Sequence, residues 1–172
     1  MRFQSSLTPP PFDPAASMPT KAPVRVSKPS AHPVRDAADA LFRSAGESCH
    51  QHGRLKRVLA HGAEDPEFQS VCDVTELSDK LLAEQMTRYE RAADEGRRKE
   101  SEDWWRAANA LWMASREYAR RRTACDAVAT RFKRHTAAEF GEITLEYELE
   151  MSARMALKQA IATYAKLRPD AA

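Results

Sequence analysis

Cys49, His50, His52, His61 and Cys72 are the residues of this chain best suited to hold a metal ion. Thiolate and imidazole are proper zinc ligands, and four of them would close a structural site. Cys49 and His52 stand three positions apart, so a helix would put them on one face. Yet the spacing of Cys49, His52, His61 and Cys72, C-x2-H-x8-H-x10-C, fits no ordinary zinc pattern, and Cys49 also continues an apolar face. Ordinary packing is the preferred reading, and no metal or cofactor is expected.

The other reactive groups lead to the same place. Cys49 beside a histidine, or Cys125 beneath His135, would be a nucleophile only with a base in reach and a pocket for the developing anion. Nothing in the sequence signals either. Glu142, Glu146 and Glu150 share a helix face, but the Glu-x-x-His pairs that complete di-iron bundles do not occur in the chain. No catalytic residue is therefore assigned, and the chain reads as a non-enzyme.

Two further clusters suit binding. Residues 106–134 hold eight bases against Glu117 and Asp126, and Arg120, Arg121, Arg122, Arg131, Lys133 and Arg134 form the basic end. Such a run can contact phosphates. However, the following segment opens with Glu139, Glu142, Glu146, Glu148 and Glu150 and has no base before Arg154. A hairpin turning near 136–141 would lay these acids along the bases, so internal charge matching is preferred to nucleic acid, which stays the alternative. The second cluster is aromatic. Trp104, Leu111, Tyr118, Cys125 and Phe132 recur every seven residues, with Trp105, Trp112 and Ala119 on a second line beside them. An ideal helix drifts about 20° per heptad, so a line this long asks for a neighbouring helix to coil against. The line of Trp105 and Trp112 reads first as a wide core face inside the bundle; as a binding surface, these are the residues that would meet a partner, since tryptophan is enriched among interface anchors.

The elements that must carry these residues are helices. Eight of the ten prolines precede residue 34, which divides the chain in two. Residues 1–35 carry five bases against Asp13 and few large apolar residues, and read as a disordered, basic, proline-rich arm. Residues 36–168 read as one domain and 169–172 as a tail. A first helix is expected from near Asp36 to His61, bent or broken at Gly46 and Gly53, each costing roughly 1 kcal/mol relative to alanine. A second should start at Asp65-Pro66-Glu67, with a second piece from Thr75 as an alternative. A turn is expected within the charged stretch 94–103. The third helix is the aromatic one. Thr136 and Glu139 have capping-box spacing for a fourth, bent near Gly141. Residues 143–151 alternate apolar and polar as a strand would, yet Leu149, Ala153, Ala156, Ala160 and Tyr164 continue a helical period, so helix is assigned.

The expectation is an all-α antiparallel bundle of three to four long helices behind the arm. Its role is read as a non-catalytic interaction or scaffold module that contacts itself or another helical protein through the aromatic face of 101–134. The alternative is a small nucleic-acid-associated regulator using the arm and Arg120–Arg134. No apolar segment approaches the ~20 residues needed to cross a membrane, no secretory signal follows Met1, and three cysteines are too few for a disulfide framework. No membrane partner is expected, and a cytoplasmic location follows by default.

Overall fold

The computed structural model describes residues 32–61, 66–96, 100–131 and 136–168. These form four helices: α1 (Pro33–His61), α2 (Phe68–Gly96), α3 (Glu102–Arg131) and α4 (Ala137–Ala165). At 1.5 Å per residue each runs about 44 Å. Residues 1–31 of the proposed arm, Asp65, the stretch 97–99, Phe132, Lys133, Arg134, His135 and the tail 169–172 lie outside the described residues, whereas Pro33, Val34 and Arg35, assigned to the arm, belong to α1.

Each helix starts where local chemistry allows. α1 begins three residues before Asp36, at Pro33, whose missing N–H is one that a first turn leaves unpaired anyway. The His32 carbonyl accepts from the Asp36 amide at 3.1 Å. α2 begins at Phe68 rather than at Pro66, which sits in a turn with Glu67; the Glu67 carbonyl accepts the first helical bond from Val71 at 2.9 Å. Ser101 caps α3, its Oγ accepting from the Trp104 amide at 3.3 Å. Thr136 and Glu139 form the predicted capping box on α4: the Glu139 amide donates to Thr136 Oγ1, and the Thr136 amide to Glu139 Oε2. α2 ends at Gly96 and α3 begins at Glu102, both within the charged stretch 94–103.

The helices are not broken at their glycines: α1 runs through Gly46 and Gly53 and α4 through Gly141. α2 runs through Thr75 without the alternative second start, and 143–151 is helical, as assigned. A glycine costs about 1 kcal/mol in a helix, less than a long packed face returns. Thr75 satisfies its own buried hydroxyl by donating to the Val71 carbonyl at 2.7 Å.

Connections this short make sequential helices antiparallel neighbours. α1 lies along α2 and α3 along α4 for most of their lengths, while the two hairpins meet over narrower seams. Arg35 pairs with Glu100, His52 packs edge-on to Tyr118 at 5.8 Å, and the Tyr164 hydroxyl donates to Asp39 at 3.0 Å. These contacts make α1 and α3 parallel and α1 and α4 antiparallel, as an up-down-up-down bundle requires. The core holds Ala38, Leu41 and Ala45 from α1, Leu82 and Tyr89 from α2, Trp104, Leu111 and Tyr118 from α3, and Leu157 and Tyr164 from α4. Trp104, Leu111 and Tyr118 are the predicted heptad line, and all are buried; Cys125, next on that line, is only half-buried. Among the described residues no helix is long and apolar enough to cross a membrane.

Candidate functional site

The apolar core gives way near its middle to a polar layer. Ser48, Gln51 and His52 of α1, Thr75 and Ser78 of α2, Ser115 of α3 and Glu150 of α4 are all buried. Asp79 of α2 organises it. His52 Nε2 lies 2.9 and 2.8 Å from its two carboxylate oxygens, and the Ser48 hydroxyl donates to Oδ1 at 2.8 Å. A carboxylate can only accept, so Nε2 carries the proton. Serine, histidine and aspartate thus meet, but not in the order of a nucleophilic triad. There the hydroxyl faces the imidazole; here both donate to the same carboxylate. The chemistry of this arrangement is to fix the α1–α2 register. Behind it, the Tyr118 hydroxyl is fully buried and has no hydrogen-bond partner among the described residues. Sequence reasoning missed this layer. The available signal was the polar run Ser44, Ser48, Gln51 and His52, at helical spacing on the face that also bears Leu41 and Ala45.

The candidate metal ligands go separate ways. His52 is taken by Asp79, Cys49 is buried toward Arg154 and Lys158 of α4, and Cys72 is half-buried on α2. Burial pushes the Cys49 thiol up, with the two bases opposing it only in part, and burial raises Cys125 too. Among the described residues no group of three or more His, Cys, Asp or Glu is placed to hold a metal ion.

The basic run meets its acids. Arg120 and Arg121 both bond Glu117 and hold its carboxyl down at about 2. Arg121 Nη1 also lies 3.7 Å from Glu146, Arg122 donates to Asp126 at 2.8 Å, and Arg131 donates to Glu142 at 3.0 Å. Two of these pairs cross the α3–α4 hairpin, where charge matching was expected. Trp105 and Trp112 are half-buried and packed against the core, Trp105 edge-on to Trp104 and Trp112 beside the Arg116 guanidinium.

Beyond the polar layer Val58, Val71 and Val128 stay buried, but other apolar residues reach the surface. Leu59 of α1, Val74 and Leu77 of α2, and Phe140, Leu145 and Tyr147 of α4 are exposed there, Leu77 at 67%. Lys56 lies over the Tyr147 ring at 4.4 Å, tying α1 to α4 at this end. These positions look unremarkable in sequence, because α4 carries apolar residues on several sides. Comparison with protein-family models, curated proteins and solved structures returned no match.

Proposed function

We propose that the chain is a non-catalytic helical interaction module that pairs with a second copy of itself through the end beyond the polar layer. The observation that carries this reading is that, among the described residues, six of the eleven exposed large apolar residues, Leu59, Val74, Leu77, Phe140, Leu145 and Tyr147, lie toward that end. Single exposed apolar residues need no explanation, but a gathering of them marks an interaction surface. Charge argues for a second copy. The last turns of α1 carry Arg54, Lys56 and Arg57 with no acid, and the first half of α4 carries Glu139, Glu142, Glu146 and Glu148 with no base, although Arg54 pairs with Glu67, Glu142 with Arg131 and Glu146 with Arg121 within the chain. A two-fold interface must be self-complementary, and adjacent helices of opposite sign meet that condition. The emphasis moves away from Trp105 and Trp112, which the chain's own core already half covers.

The nucleic-acid alternative has less support, since Arg120, Arg121, Arg122 and Arg131 each engage a carboxylate. Light scattering across a concentration series tests the proposal. We expect a rise from the 19.4 kDa chain mass toward twice that value. Leu77→Glu with Leu145→Glu should hold the protein at the chain mass without loss of helicity. A wild-type chain that stays monomeric throughout would sink the reading. Retention on nucleic acid that weakens steeply with salt would favour the alternative.

A further inference from the structure

The α1–α4 seam opens into a cleft of about 380 Å³, on the far side of α1 from Asp79 and apart from the apolar end. Its floor is α1 backbone at Gly46 and Gly53, one heptad apart. Its walls carry His50, Arg57, Arg154 and Lys158, and no carboxylate is among the residues lining it. Three permanent cations thus converge on one concavity, and Arg57 and Lys158 make no ion pair among the described residues.

Arg154 is fixed in place. Its Nη2 donates to the Cys49 carbonyl at 2.9 Å. Gly53 leaves room for it there: a Cβ at that position would stand 2.9 Å from the same nitrogen, and the guanidinium end would have to shift. Arg154 Nε is buried and has no acceptor among the described residues, so the guanidinium has a donor left over. A Cβ at Gly46 would meet nothing within 4 Å, so that part of the floor is open. Like charges held together favour an anion between them, and arginine's planar fork suits the paired oxygens of phosphate or carboxylate.

We propose that this cleft binds a small organic polyanion, its phosphate or clustered carboxylates held by Arg57, Arg154 and Lys158, with Ile161 as the apolar wall for its body. The volume falls within the range of small-molecule sites, roughly 300–1,000 Å³. The inference does not depend on self-association.

The test is a two-dimensional amide NMR titration of the full chain at low salt, with inorganic pyrophosphate and, separately, with citrate. Saturable shifts centred on the Gly46, His50 and Gly53 amides are expected. Response to pyrophosphate alone would assign a phosphate ligand, to citrate alone a carboxylate one, and to both a site that reads charge. Lys158→Gln, which removes one exposed cation, should weaken binding about tenfold, and Gly46→Leu should block the cleft. Neither substitution touches the apolar end. Shifts that spread over the surface and grow linearly with added anion would overturn the proposal, as would binding unchanged in both variants.

Discussion

Asp79 is the residue on which two buried donors depend. Replacing it with alanine leaves the His52 ring and the Ser48 hydroxyl without their acceptor, and burying an unpaired polar group costs about 1–3 kcal/mol. Chemical denaturation of Asp79→Ala should show a loss of that size. Tyr118 should behave in the opposite way. Its hydroxyl has no partner to lose, so Tyr118→Phe is expected to leave stability unchanged or raise it by up to about 1 kcal/mol. The tyrosines also set an alkaline limit. Burial pushes the hydroxyls of Tyr89, Tyr118 and Tyr164 well above their ordinary value of 10. Below that pH the folded and unfolded chains hold these protons alike. Above it the unfolded chain releases them while the folded one does not, so stability falls as pH rises past about 10. Urea midpoints measured from pH 9 to 11 should decline, and Tyr118→Phe should flatten the slope. Tyr118 was legible in the sequence as a heptad position. The Asp79 network was not, because it joins residues 27 and 31 positions apart, and which ones meet depends on how α2 slides along α1.

At the scale of the helix, the starts of α3 and α4 were readable, while the start of α2 at Phe68 and the continuity through the glycines were not. Ser101 and the Thr136–Glu139 pair act through their own neighbours, so spacing alone finds them. Gly46, Gly53 and Gly141 read as interruptions because propensity is local, whereas the packing that overrides it comes from another helix. The two α1 glycines should respond differently to substitution. Gly46→Ala meets no atom and should raise stability by about 0.5–1 kcal/mol. Gly53→Ala gains the same backbone advantage but pushes Arg154 off the Cys49 carbonyl, so its net gain should be smaller or reversed. Thermal unfolding of the two variants side by side separates these contributions. In α3, Leu111→Ala should cost about 2–5 kcal/mol, as deletion of a fully buried leucine does.

For the molecule as a whole, composition and periodicity were enough to expect an all-α bundle of three to four long helices. They were not enough to find which end is apolar outside, because α4 displays hydrophobic residues around much of its circumference and only its neighbours decide which are covered. Self-association is the prediction that belongs here, and the light-scattering series checks it. The pairing of α1 with α2 and of α3 with α4 has a kinetic consequence as well. Most of the extensive contacts are made within a hairpin, between segments close in the chain, and chains dominated by local contacts fold fast. Each hairpin can form before the other is complete, and the narrow seams between them close last. A nascent chain would thus hold a formed α1–α2 pair, its register set by Asp79, while the second hairpin is still being made.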